Sequence, residues 1–258
     1  MLIDKIQLKL FMPYDMKSLN ARLTDDSSFS NDFISLSQDI ATYAEKCGVK
    51  VTPFRDLTLP HFSPLPNKEK QAILDFLKGK LSWLQSVELT GASFDSNKHI
   101  LWHAIKSFGL VPSSDLMEKI DDNCVIEIHW LETLVQAFHT FSFYKNSSYT
   151  LEEICSYPWQ ELYEVDKFTS EGIFNLAQTI LKGDIKSTVC PGFPPYVVKE
   201  TKSCNKYEVE IHYLYVSPLF DKTGKPVAAV SIESMQVLNK KTERTSAIPE
   251  VRPQTATV

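Results

Sequence analysis

Residues 206–232 leave the backbone little freedom. Between Lys206 and Ser217, the residues Tyr207, Val209, Ile211, Tyr213 and Tyr215 alternate with Glu208, Glu210 and His212. A period of two places the tyrosine-rich set on one side of a strand and the charged set on the other. The run Asp221-Lys-Thr-Gly224 follows as a turn of the Asp-to-Gly kind, and Pro226 to Ile232 supplies a second apolar, β-branched segment. Two strands joined by such a turn form an antiparallel hairpin. A lone hairpin is marginal in water, so the tyrosine face needs a core supplied by the rest of the chain.

The rest of the chain has the means to supply it. With 258 residues, 43% hydrophobic and 23% charged, it has the balance of ordinary globular proteins and the length of two ordinary domains. The first 120 residues read as mainly helical. Phe29, Phe33, Leu36, Ile40, Tyr43 and Ala44 recur at helical spacing before Gly48. Ile73, Leu74, Leu77, Leu81, Trp83 and Leu84 share a broad face after Asn67, a residue of the N-cap type. Ile100, Leu101, Ala104, Ile105 and Phe108 do the same before Gly109. Pro53, Pro60, Pro64 and Pro66 predict an extended connector after the first helix, with Phe54, Leu57, Leu59, Phe62 and Leu65 lying across a core. At Asp121-Asp-Asn123 the pattern changes: Cys124 to Trp130 alternates as a strand, and residues 131–144 read as a second strand followed by a short helix. The chain thus divides into a helical region 1–120, a mixed domain 121–238 and an aperiodic tail 239–258 expected to be flexible.

The net charge of −5, without a long Lys/Arg run, argues against a direct nucleic-acid partner. No run approaches the length of a membrane span, and the first residues do not form a signal-peptide core. Cys47, Cys124, Cys155, Cys190 and Cys204 are scattered singly, which suits free thiols in a reducing, cytoplasmic setting.

Tyr149 to Glu153 resembles the helix start of PAS-type sensory domains, with Ser148 where that family has glycine. Pro158 to Leu162 resembles the turn and helix after it, Phe168 to Lys182 the connecting helix, and Asp221-x-x-Gly224-x-Pro226-Val227 the turn before the final strand. The resemblance spans about residues 121–238. Residues 97–235 resemble, more narrowly, the sensory half of bacterial LuxR-type regulators, without the helix-turn-helix output domain that would bind DNA. This implies an α+β fold, a helical N-terminal region followed by a PAS-like antiparallel sheet with flanking helices. It also implies a cytoplasmic sensing or regulatory module, commonly dimeric, that binds a small apolar ligand or a protein partner. Glu153 to Pro158 lacks the Asn-Cys-Arg-Phe-Leu-Gln helix of flavin-binding relatives, and residues 166–183 hold no histidine for haem. No cofactor is expected, with flavin and haem disfavoured.

Phe141, Phe143, Tyr149, Trp159, Phe174, Tyr213 and Tyr215 are the candidate lining of a pocket between sheet and helices. The competing possibility is a close-packed aromatic core. His99 and His103, four apart with Asp95 upstream, have one element of a metal site but lack further ligands and the general-base glutamate of metalloproteases, so no metal is expected. No nucleophile elbow or phosphate-binding glycine loop is present, and the chain is not expected to be an enzyme. The alternatives are a small enzyme using some of His99, His103, His129 and His139, or a ligand-free effector or adaptor of PAS shape.

Overall fold

The computed structural model describes residues 26–94, 96–132 and 136–239. The tail expected from residue 239 onward therefore lies outside the described residues, apart from Asn239. Helix α1, Asp26–Lys46, buries Phe29, Phe33, Ile40 and Ala44 along one stripe and stops at Gly48, whose φ of 68° suits a residue without a Cβ. Helix α2, Asn67–Leu89, buries Ile73, Leu74, Leu77, Trp83, Leu84 and Val87. Its N-cap is Pro66, not Asn67: the proline carbonyl accepts from Glu69 and Lys70 at 2.8 and 3.0 Å. Helix α3, Asn97–Ser107, is stitched to the turn that follows it by Asn97, whose amide donates to the carbonyls of Asp121, Asp122 and Cys124.

The connector 49–66 buries Val49, Val51, Leu59 and Phe62, with Phe62 against Phe33 at 4.6 Å between ring centres. Leu57 departs from its expected place in the core. It sits 68% exposed in a turn where Asp56 caps the Thr58 N–H, so the local hydrogen bond turns the side chain outward.

The strands are β1 (Val111–Pro112), β2 (Val125–Trp130), β3 (Gln136–His139), β4 (Tyr163–Glu164), β5 (Tyr196–Glu200), β6 (Glu208–Phe220) and β7 (Pro226–Asn239). They form one antiparallel sheet in the order β3-β2-β7-β6-β5-β4, with β1 paired to β6. Between β3 and β5 lie the short helices α4 (Leu151–Ser156) and α5 (Trp159–Leu162) and the longer α6 (Lys167–Leu181). Two strands, short helices, a longer helix, then antiparallel strands is the plan that the PAS resemblance implies, and the fold is α+β.

Both faces of the sheet are covered. Register places Val125, Glu127 and His129 opposite Glu233, Ser231 and Ala229 on one face, and Ile126, Ile128 and Trp130 opposite Ile232, Val230 and Ala228 on the other. The N-terminal helices cover the second face: Trp83 meets Phe138 at 5.4 Å and Phe108 meets Trp130 at 6.0 Å. Ala177 and Ile180 of α6 close the first face with Leu131, Tyr213 and Val216. Glu127 of β2 is therefore cut off from water, and His129 is half-buried. A bulge in β6 between Tyr213 and Tyr215 also breaks the expected single tyrosine face. Tyr213 pairs with Glu233, whereas Tyr215 pairs with Ile232 on the opposite side, because one extra residue reverses the parity of all that follows. Among the described residues no helix is long and apolar enough to cross a membrane.

Candidate functional site

The wall of the site is held by a short segment rich in side-chain-to-backbone bonds. Thr150 and Glu153 form a reciprocal capping box at the start of α4. Tyr149 donates to the Leu162 carbonyl and accepts from the N–H groups of Thr201 and Lys202 at 3.1 and 3.2 Å, clamping α5 to the end of β5. Beside it, Glu200 accepts from Ser147, Ser148, Ser203 and the Tyr207 N–H. These ties fix Tyr163, immediately after α5, beneath the sheet.

There, Glu127 of β2, Glu233 of β7, Tyr213 of β6, Tyr196 of β5 and Tyr163 of β4 surround a cavity of about 10 Å³, close to the roughly 10–15 Å³ that one water needs. Phe143, Trp159, Ile211 and Met235 complete its walls. Glu127 and Glu233 are 4% and 2% exposed. Glu233 Oε1, the Tyr163 hydroxyl and the Tyr196 hydroxyl are buried without a hydrogen-bond partner. Folded proteins rarely leave such atoms unmade, since each costs about 1–3 kcal/mol. Elsewhere this chain satisfies its buried carboxylates: Glu152 accepts from the His61 and Phe62 N–H groups, and Glu200 from four residues.

Burial and then the Glu233 charge push Glu127 well above the ordinary carboxylate range, against a hydrogen bond from Gln136. Burial likewise raises Glu233, to about 7, with the Ser231 and Tyr213 hydroxyls pulling the other way. His129 lies 3.7 Å from Glu127 but burial lowers it to about 4, so it brings no positive charge at neutral pH. Gln136 also meets His139 Nδ1 at 3.1 Å, and His139 Nε2 lies 3.1 Å from the Tyr144 hydroxyl and 3.3 Å from Lys80 Nζ. Burial lowers Lys80 to about 8 and His139 well below its usual value. A polar chain thus runs from Glu127 through the half-buried Gln136 and the buried His139 to Lys80 on α2.

Of the residues singled out from sequence, Phe143, Trp159 and Tyr213 line the cavity. Phe141 and Tyr149 are buried outside its lining, Phe174 is exposed on α6, and Tyr215 lies on the other sheet face beneath Lys119. Glu127, Glu233, Tyr163 and Tyr196 were not singled out. His103 bonds to Ser86 and Thr90 on α2, in a group separate from that of His139, and His99 is exposed. Asp95 lies outside the described residues, among which no three His, Cys, Asp or Glu side chains gather as metal ligands. A wider depression of about 420 Å³ passes Glu164, Asp166, Val197 and Lys199. Asp166 there caps α6, Lys199 pairs with Glu208 at 3.5 Å, and Glu164 is exposed.

No protein-family model matches the sequence, and no curated protein matches it. Among solved structures, the light-state dimer of the fungal blue-light photoreceptor Vivid aligns with 44% of this chain and 78% of its own, at 14% identity and a TM-score of 0.29. A variant of Vivid aligns with 45% and 79%, at 14% identity and a TM-score of 0.30. Scores this low transfer no ligand, partner or activity, and these matches lend nothing to the narrower LuxR-type resemblance. The expectation of no cofactor, with flavin and haem disfavoured, is corrected on this match.

Proposed function

We propose that the chain is a sensory module that takes a small molecule into the cavity beneath β2, β5, β6 and β7, and that it acts by binding rather than by catalysis. The observation that carries this reading is the convergence of three unpartnered buried polar atoms, Glu233 Oε1 and the Tyr163 and Tyr196 hydroxyls, on one enclosed space. An occupant with donors and acceptors of its own would satisfy them. The apolar ligand expected from the sequence suits the aromatic walls but not this polar floor, where an alkyl group would leave the carboxylate oxygens without donors. Any occupant larger than water requires the half-buried Trp159, Tyr196 or Met235 to move.

The readout in this reading passes to the N-terminal helices, because Glu127 at the cavity is joined through Gln136 and His139 to Lys80 on α2. Homodimerisation, a cytoplasmic setting and the absence of direct nucleic-acid contact belong to the same proposal. The test is native mass spectrometry of the purified full chain, followed by a thermal screen of small metabolites. A ligand at a hundred times its Kd stabilises by about 2.7 kcal/mol, a shift in Tm that is easily read. A bare chain that no small molecule stabilises would sink the proposal.

A further inference from the structure

From the make-up of the cavity we infer that its ligand carries a primary ammonium group, seated between Glu127 and Glu233, with an alkyl or aryl stem leaving past Trp159, Tyr196 and Met235. The inference rests on the reading of the cavity as a ligand site and adds the chemical class. Size comes first: an ammonium head is close to a water molecule in volume, and the space of about 10 Å³ admits one such group. Hydrogen bonding is the second argument. A primary ammonium has three N–H donors and no acceptor, and the cavity presents carboxylate oxygens on two strands, one of them unpartnered. The Tyr163 and Tyr196 hydroxyls stand beside them as further acceptors.

Charge is the third argument. Two buried carboxylates face one cavity, and the groups around them bring no compensating cation: Ser231, Tyr213 and Tyr196 face Glu233, Gln136 and His129 face Glu127, and Glu200 lies beyond Tyr163. Lys80 stands two links away, behind His139 and Gln136. Water fits the same space but leaves the pair to be neutralised by held protons, whereas a cation offsets both negative charges and meets the ring faces of Tyr196, Tyr213, Phe143 and Trp159. The raised carboxylates fix the pH sense: the pair must shed protons to receive the cation, so affinity rises with pH through about 7 and falls again once the amine itself deprotonates.

The test uses n-butylammonium chloride as probe, n-butanol as its neutral counterpart and tetramethylammonium chloride as a cation too wide for the seat. Calorimetry of the full chain at pH 6 and pH 8 is expected to show one saturable butylammonium site, tighter at pH 8 and accompanied by proton release, with no binding of tetramethylammonium. Glu233→Gln and Glu127→Gln, which preserve side-chain shape, are each expected to weaken butylammonium at least tenfold, their far-UV circular dichroism staying that of the parent. Butanol binding as well as butylammonium, or amine binding unchanged in both variants, overturns the ammonium inference while leaving a ligand cavity. Absence of butylammonium binding, or binding of tetramethylammonium, overturns the ammonium inference, and absence of binding by any probe together with a bare chain in native mass spectrometry overturns both.

Discussion

Glu233 differs from Glu152 and Glu200 in leaving one buried carboxylate oxygen, Oε1, without a partner, and its burial has a sign in stability. Its unfolded form releases a proton near the ordinary value of 4.5, while the folded form holds it to about 7. Between those values the folded state binds more protons, so this group makes stability fall as pH rises from about 4.5 through 7, and the loss stays in place above that. Glu127 acts in the same direction. Glu233→Gln removes the titration, and is expected to be more stable than the parent by about 2 kcal/mol at pH 8 and equal to it near pH 4. Urea denaturation midpoints at the two pH values check this, and a gap that does not widen with pH would refute it. His129 and His139 titrate in the opposite sense below pH 6.5, but do so in both proteins and drop out of the comparison. Lys80 provides a second case. Burial lowers it from 10.5 to about 8, so the unfolded state binds more protons between those values and stability rises with pH across that window. Lys80→Met, close in length and apolar, is expected to abolish that rise and to raise the Tm at pH 7, a profile read by scanning calorimetry from pH 7 to 10.5.

The elements show why the cavity wall stands where it does. The Tyr149 hydroxyl holds the Leu162 carbonyl and two N–H groups after β5 at once. Tyr149→Phe is therefore expected to cost about 1–3 kcal/mol and to loosen Tyr163, seen as a lower Tm and weaker probe binding together. If Tm falls while probe affinity holds, the clamp supports the fold but not the site. Thr150→Ala removes one arm of the capping box and is expected to cost about 1 kcal/mol with little effect on binding, measured by the same melts. The helices, the late hairpin and the strand after Asp121 were legible in sequence, because periodicity and turn chemistry are local. The floor of the site was not. Glu127 and Glu233 sit at polar positions of alternating strands, and alternation reports which face a residue takes, not whether that face is later covered by α6. Tyr163 and Tyr196 lie at strand starts reached only through non-local pairing. Tyr215 was misplaced because a bulge leaves no mark in an otherwise regular pattern.

At the scale of the whole molecule, the sheet shares its core with residues 26–120. Ile126, Ile128, Val230 and Ile232 are fully or almost fully buried on a face that α2 and α3 cover, and the same apolar cluster continues to Phe33, Leu77 and Leu101 without a break. The backbone adds its own ties: the Leu151 and Glu152 N–H groups at the start of α4 donate to the Thr52 and Pro53 carbonyls, both at 3.0 Å. Glu152 in turn accepts from His61 and Phe62. A fragment beginning at residue 121 would expose that face, strand Glu152 and lose the partner of the polar chain at Lys80. Large exposed apolar patches drive association, so the fragment is expected to bind 8-anilinonaphthalene-1-sulfonate, to aggregate and to lack a cooperative thermal transition. Adding residues 26–120 as a separate chain is expected to restore the transition. A fragment 121–258 that stays monomeric and melts cooperatively by itself would instead make the helical region a dispensable neighbour, and would remove the route by which an occupied cavity is proposed to reach α2.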